Sequence, residues 1–323
     1  MINCLICNTS DKVSFLSDYL LEIKEDYEFF KDSKIYRCSD CDFAFVSPMP
    51  SEKKLNEFYE KVYRAEGRPP YFVSENYEDQ KKHYLDDKNL SYLLYITTLI
   101  DIRKIKNLYD FGCGVGDLGF ALKKKFPHLE LYCTEHDNHC EKILLDRGYT
   151  NFQNIENIDQ TFDLITTTHS LEHLLDINLI FKKFKELLKP SGLIFFEVPN
   201  FSEEYWKGRP YDGPHLLFFT KKSFDKLIKI HGFEFVNFSY SAYSFSKDHQ
   251  YQRESQNTYY MDQKSLISNN KLKRFFKKFI PKKIVRLRQD YIQTKNIRND
   301  DRMDWYANNT GDNCYMRGVL RKI

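Results

Sequence analysis

The sequence predicts an α/β fold: a doubly wound, mostly parallel sheet, with a small cysteine-bearing module in front of it and a helical insertion before the last strand. Three observations predict it. From residue 106 onward, short apolar runs alternate with helical stretches, the pattern of successive βαβ units. Glycine is scarce, at 12 residues in 323, yet Gly112, Gly114, Gly116 and Gly119 fall within eight positions. Average usage of about 7% would give roughly 23, so the cluster marks a place with a backbone reason for glycine. Finally, two Cys-x-x-Cys pairs, Cys4/Cys7 and Cys38/Cys41, stand apart near the N-terminus.

In chain order the cysteines come first. The other four, Cys113, Cys133, Cys140 and Cys314, follow no matching pattern. The opening Met1-Ile2-Asn3-Cys4 has no basic region followed by an apolar stretch, so neither a secretory signal nor a disulfide framework is expected, and a cytoplasmic location is. Two such knuckles read as a tetrahedral Cys4 zinc site. Each thiolate reaches the ion at about 2.3 Å and the closed shell leaves no water position, so the metal is structural rather than catalytic. Thirty residues separate Cys7 from Cys38, longer than the usual spacing of about 15–20. Residues 15–30 are therefore predicted to form a helix inside that loop.

Phe43–Val46 is predicted to close the module as a strand, and after Pro48-Met49-Pro50 a helix starts with Ser51 as its N-cap and Glu52 in its first turn. Residues 81–105 form a second amphipathic helix, with Leu90, Leu93, Leu94 and Leu99 along its apolar side. The strands that follow are Asn107–Phe111, Leu129–Thr134, Phe162–Thr167, Gly192–Val198 and Phe233–Tyr240, with a last one, Tyr315–Lys322, standing apart. The domain boundaries read from this pattern are 1–50, 51–105, 106–245, 246–312 and 313–323. The fourth segment is a helical insertion, a lid or substrate-binding element by its length.

Composition narrows the function classes. Hydrophobic residues at 41% and charged residues at 29% describe a chain that buries a core. A mean hydropathy of −0.60 and no apolar run near 18 residues exclude a membrane span. The net charge of +3 points to no partner by itself. Residues 271–289, however, hold nine Lys or Arg and no Asp or Glu, which leaves the rest of the chain at −6. That run is read as a solvated amphipathic helix over the sheet edge, with peripheral contact to an anionic partner as its functional alternative.

The chemistry centres on Asp110-Phe111-Gly112-Cys113-Gly114-Val115-Gly116-Asp117, where an apolar strand runs into a glycine turn and then a helix, Leu118–Lys125. Such a turn lets a nucleotide-like ligand approach the backbone, and the helix start offers unpaired N–H donors. About 25 residues later a second strand ends at Glu135, an acid that accepts both hydroxyls of a ribose in doubly wound sheets.

These residues resemble the class I S-adenosylmethionine-dependent methyltransferases. Asp110-x-Gly112-x-Gly114-x-Gly116 is similar to their first motif, and Glu135 to their ribose-binding acid. Phe162-Asp163-Leu164-Ile165 with Ser170-Leu171-Glu172-His173 resembles the fourth strand and its Leu-Glu-His element. Leu188–Asn200 resembles the fifth strand and its LKPGG lead-in, with Ser191 in place of the first glycine. His215-Leu216-Leu217-Phe218-Phe219-Thr220 is similar to a His-Leu-x-x-Phe-Thr element of one branch, which often carries an N-terminal zinc ribbon and a linker like Pro48–Ser51 and Tyr59–Tyr63. The resemblance covers most of residues 1–245. It implies a seven-stranded Rossmann-like sheet, S-adenosyl-L-methionine as cofactor and a structural Zn2+. It assigns Asp110, Gly112, Cys113, Gly114, Gly116, Glu135, His136, Glu156 and His169 to the cofactor.

Methyl transfer to a hydroxyl needs alignment and a general base, and bases belong just past strand ends. His215 after Pro214 is the first candidate, His173 beside Glu172 the second, and His169 the third. Asn200, Tyr205, Trp206 and Tyr211 are expected to line the acceptor pocket, although aromatic packing accounts for the latter three nearly as well. A sugar, nucleotide-sugar or surface-glycan precursor is the acceptor class the resemblance implies, with O- or N-methylation, since the extra C-terminal domain of the sugar C-methyltransferases is lacking. Three alternatives stay open. A dinucleotide enzyme would use Gly114, Gly116 and Gly119 as its fingerprint, but Asp110 would then face a pyrophosphate with like charge. An rRNA or tRNA methyltransferase with a zinc module needs a coherent basic face, and nucleic acid is not the expected partner. A non-catalytic interaction protein would keep only fold and zinc. Cys133, His136, His139 and Cys140 also look like metal ligands, but they straddle a strand end and a helix and do not readily converge.

Overall fold

The computed structural model describes residues 2–19, 21, 24–63, 84, 87–201, 214–241 and 315–323. The expected insertion 246–312, the basic run 271–289 and Tyr205, Trp206 and Tyr211 lie outside the described residues. Apart from Ser241, the described residues belong to one unit, residues 1–240 with 314–323.

The chain begins with β1 (Val13–Asp18), α1 (Lys24–Phe30), β2 (Lys34–Cys38) and β3 (Ala44–Ser47), followed by α2 (Glu52–Phe58). The helix expected across 15–30 is thus a strand followed by a short helix. The first half is drawn into sheet pairing because β1 lies antiparallel to β2, with Val13 opposite Cys38, and Phe15 packs edge-on against Tyr36 at 6.1 Å. Tertiary pairing overrides local preference here. Ser51 caps α2, its side chain accepting from the Lys54 N–H. The second expected helix is described as α3 (Asp87–Leu99), and Ile102–Lys104 after it is a separate short turn.

The main sheet then assembles from β4 (Asn107–Phe111), α4 (Asp117–Lys125), β5 (Glu130–Thr134), α5 (Asn138–Asp146), β6 (Tyr149–Asn151), β7 (Phe162–Thr168), α6 (Ile177–Leu187) and β8 (Leu188–Pro199). It is completed by α7 (Lys221–Ile230), β10 (Phe233–Ser241) and β11 (Tyr315–Lys322), after the two-residue β9 (Leu217–Phe218), which joins the N-terminal sheet instead. The order is β10-β11-β8-β7-β4-β5-β6. Strands β4 to β8 pair in parallel, and β11 runs antiparallel to β8. The architecture is α/β with a mixed seven-stranded sheet.

Alternation along β4 explains the two layers. Leu108 faces Leu118, Leu122, Ile143 and the α3 residues Leu93 and Ile96, while Tyr109 and Phe111 face the layer holding Phe181, Phe184 and Leu227 of α6 and α7. One strand therefore serves both cores, as a doubly wound sheet requires. Ser191 sits at φ 62, the left-handed backbone that the glycine of related lead-ins would adopt without strain. Among the described residues no helix is long and apolar enough to cross a membrane.

The second layer also holds the N-terminal sheet, ordered β1-β2-β3-β9. Through β9, Phe45 pairs with Leu217 and Ala44 with Phe218, so the cysteine module is sewn to the segment that begins at His215.

Candidate active site and metal-ligating clusters

Chain order reverses between β4 and β7: from β4 the chain steps outward to β5 and β6, then returns to the other side of β4. Open α/β sheets bind ligands in the crevice outside the strand ends at such a point. Here that crevice holds the glycine loop, Glu135 and the turn after β7. Gly112, Gly114 and Gly116 have φ of 66, 55 and 73. A Cβ built on Gly116 would lie 2.6 Å from the Tyr149 ring, so this position needs glycine for the chain's own packing. A Cβ on Gly114 would meet nothing within 4 Å. The Gly114 backbone instead faces open space, and its N–H donates to Glu135 Oε2 at 2.7 Å. Glu135 Oε1 accepts from the Asp137 N–H at 2.9 Å.

Asp110 lies beneath this loop, 3% exposed. The Thr166 hydroxyl donates to one carboxylate oxygen at 2.7 Å, and the Tyr149 hydroxyl reaches the other at 3.5 Å and the Gly116 carbonyl at 3.0 Å. Burial raises its pKa to about 7 against the opposing pull of those hydroxyls. Asp110 thus braces the loop from below, and Thr166 and Tyr149, which the sequence reading missed, are its partners. Arg147 was missed as well. It is 2% exposed, bonds the Val115 carbonyl at 2.6 Å and pairs with Asp117 at the start of α4. No local pattern marks these residues, because each acts across 30 or more positions. Cys113 is partly buried beside its loop, burial pushing its thiol well up, while His136 and Glu156 are exposed.

Past β7 the backbone turns sharply, with His169 at φ 51. Its side chain stands between two buried carboxylates, Nε2 at 3.1 Å from Glu197 and Nδ1 at 3.5 Å from Glu172. Although burial opposes it, Arg317 followed by His169 holds Glu197 well below the usual carboxylate range. Tyr92 donates a hydrogen bond to the same carboxylate, and Arg317 also reaches Ser91 at 2.7 Å.

The three residues expected to act on an acceptor come together. Glu172, His173 and His215 have donor atoms all within 4.8 Å of one another, and the two imidazole centroids are 4.9 Å apart. The Leu216 N–H donates to the Glu172 carbonyl at 2.8 Å and pins the two segments. Tyr59 OH lies 3.2 Å from His173 Nδ1, and Tyr19 OH donates to the His215 carbonyl at 2.7 Å, so the N-terminal module and the segment after α2 both buttress this cluster. Burial lowers the pKa of His173 to about 4. Glu172 is held at about 2: burial works against ionisation, but the imidazoles of His169, His173 and His215 prevail. Asn200 is buried at the end of β8, bridged to Phe219.

The cysteines form a second cluster. Both knuckles use the same backbone device: the Asn8 N–H donates to the Cys4 carbonyl and the Asp42 N–H to the Cys38 carbonyl, each at 2.8 Å, with Asn8 and Asp42 at φ 55 and 62. The four sulfurs lie within 4.8 Å of one another, Cys4 to Cys41 at 3.6 Å and Cys38 to Cys7 at 3.9 Å. A tetrahedral ion with sulfur bonds of about 2.3 Å would space its sulfurs by about 3.8 Å, so this donor set fits zinc. Lys226 of α7 pairs with Asp40, and the Asn178 amide of α6 donates to the Leu5 carbonyl at 2.6 Å, docking the knuckles on the core. The Cys133, His136, His139 and Cys140 set does not converge: both cysteines are buried in the core, both histidines are exposed, and His139 bonds Asp137.

Comparison with known proteins agrees with this geometry. Residues 79–237 match the family model of a methyltransferase domain. The ubiquinone biosynthesis O-methyltransferase of Coxiella burnetii is 33% identical over 127 residues, covering 36% of this chain and 52% of that protein. The enzyme of the same name from Pasteurella multocida is 36% identical over 74 residues, covering 22% and 31%. The match thus spans about half the length, or less, of these curated relatives. Solved structures with some likeness include coclaurine N-methyltransferase bound to N-methylheliamine and SAH, at TM-score 0.46 and 16% identity over 74% of each chain. Another is the O-methyltransferase of a Brevibacillus brevis trans-AT polyketide multienzyme with S-adenosyl-L-homocysteine, at 0.40 and 15% over 72% of this chain and 71% of that one. The chain therefore carries a class I S-adenosylmethionine-dependent methyltransferase domain.

Proposed function

We propose that this protein transfers a methyl group from S-adenosyl-L-methionine to a hydroxyl of a small-molecule acceptor. The observation that carries the reading is the pairing of the Gly114 N–H with the Glu135 carboxylate at 2.7 Å, beside the open space above Gly114, at the point where strand order reverses. The cofactor, when bound, supplies the electrophilic methyl group. The chain's own residues do the rest. The Gly112–Gly116 backbone and Glu135 hold the cofactor, with His136, Glu156 and the His169 turn at its margin, and Asp110 with Thr166 and Tyr149 keeps the loop in shape. His215 takes the hydroxyl proton, His173 stands neutral beside it, and the buried Glu172 anion favours the positive charge formed at His215. Asn200, buried at the end of β8, borders the acceptor. Zn2+ on Cys4, Cys7, Cys38 and Cys41 would keep the N-terminal module folded and so hold Tyr19 against that cluster.

The relatives' name supports oxygen as the methylated atom. It gives no support to the sugar acceptor expected from the sequence, so phenols and nucleotide-sugars are the two arms of the test. Purified protein is titrated with S-adenosyl-L-methionine by calorimetry, then incubated with each acceptor panel while S-adenosylhomocysteine is followed by mass spectrometry. Glu135→Ala should weaken cofactor binding by about 10- to 100-fold, as expected for a lost charged hydrogen-bonding partner. A wild-type protein that binds no cofactor would sink the proposal.

A further inference from the structure

We propose that Glu172, His173 and His215 form a binding site for a divalent transition-metal ion, separate from the four-cysteine cluster. The inference deepens the reading above, on which it rests for the identity of the cleft, by naming what supplies positive charge to the acceptor oxygen.

The donors are two imidazoles and one carboxylate, all within 4.8 Å of one another. That set suits borderline ions such as Zn2+, Fe2+ or Co2+, and three protein ligands leave coordination positions open for water or substrate. The Glu172 carboxylate is an independent indication. It is 1% exposed, and neither oxygen makes a hydrogen bond; His169 Nδ1 stands 3.5 Å from Oε1. A buried carboxylate without hydrogen bonds is costly unless a cation compensates it.

The surroundings are built as a metal site would need. The Leu216 N–H to Glu172 carbonyl bond fixes the two ligand-bearing segments at 2.8 Å, and the Tyr19 hydroxyl holds the His215 carbonyl at 2.7 Å. Tyr59 OH, 3.2 Å from His173 Nδ1, is the kind of outer partner that orients a ligating imidazole. With the ion in place His215 would act as a ligand rather than as the base, and an acceptor hydroxyl bound at an open position would lose its proton to solvent more readily because the ion stabilises the oxygen anion.

The test counts and types the metal. Full-length protein is loaded with excess Zn2+ or Co2+, freed of unbound ion by gel filtration and analysed by mass spectrometry of the metal. Two equivalents per chain are expected. In the cobalt form, one should show thiolate charge-transfer absorption and the other only the weak visible bands of nitrogen and oxygen ligands. Glu172→Gln and, separately, His215→Asn should each lose the second equivalent while keeping the thiolate bands and the circular dichroism of the wild type. The retained thiolate bands also show that the variant is folded. A single, thiolate-type equivalent in the wild type, or a second equivalent that survives both substitutions, would overturn the inference. Cofactor binding measured on the same preparations separates the two readings: if the protein binds cofactor but only one metal, the metal site alone fails, and if it binds no cofactor, the methyltransferase reading fails whatever the metal count.

Discussion

At the scale of single residues, the glycine loop divides its labour. Gly116 is required by packing, since a Cβ there would meet Tyr149 at 2.6 Å and Leu144 at 2.8 Å on top of a left-handed φ of 73. Gly114 has the same kind of backbone but empty space above it. Gly116→Ala should therefore cost about 2–4 kcal/mol of stability in urea unfolding. Gly114→Ala should cost only about 1–2 kcal/mol while abolishing most cofactor affinity by calorimetry. Equal stability losses would contradict this division. Asp110 adds a pH signature. Its carboxyl titrates near 3.9 when unfolded and at about 7 when folded, raised by burial. The folded state thus binds this proton more tightly. The stability it contributes is complete below about pH 4 and is lost as pH rises through about 7, by at most on the order of 4 kcal/mol. Asp110→Asn removes that slope, so its unfolding midpoint should gain on the wild type between about pH 5 and pH 8; a constant difference would refute the buried titration.

At the scale of elements, a motif that looked functional proves to carry a helix start. The His-Leu-x-x-Phe-Thr element ends in Thr220, which caps α7: its hydroxyl accepts from the Ser223 N–H at 3.2 Å while the Thr220 N–H donates to Ser223 Oγ at 2.8 Å. Asp176 does the same for α6, accepting from Asn178 and Leu179. Thr220→Ala should lower stability by about 1 kcal/mol and leave cofactor affinity unchanged, since the cap's hydrogen bonds run to Ser223 within α7. A loss of affinity without a loss of stability would move Thr220 into the binding site. The start of α2 at Ser51 was legible from Ser51 and Glu52 because capping is local chemistry. The strand Val13–Asp18 was not, because its reason to be extended is β2, which begins sixteen residues beyond it at Lys34.

At the scale of the molecule, the last strand enters the interior of the sheet between β10 and β8. Its Arg317 is 3% exposed and bonds Glu197 at 2.7 Å and Ser91 at 2.7 Å, residues 120 and 226 positions away. Tyr92 and His169 close on the same carboxylate. Removing one member of a buried ion pair leaves the other charge uncompensated. Arg317→Met should therefore destabilise the whole protein by about 3–5 kcal/mol, with one cooperative transition at a lower urea midpoint. An unshifted midpoint would show that Glu197 finds its compensation elsewhere.

What the sequence determined by itself is whatever rests on short spacing: the strand–glycine turn–helix unit, Glu135 at the end of the next strand, the two cysteine knuckles, the Ser51 helix cap and the alternation that makes the sheet doubly wound. Those features depend on neighbours within a few residues, or on periods of 2 and 3.6 that side chains cannot hide. What only the tertiary structure decided is which side chains meet. Tyr149 and Thr166 converge on Asp110, Arg147 reaches Asp117, Tyr19 crosses from the N-terminal module and Tyr59 from the segment after α2, and Glu172 loses its solvent between three histidines. The physical reason is that burial and long-range pairing arise when strands from opposite ends of the chain become neighbours, and no local spacing encodes that proximity.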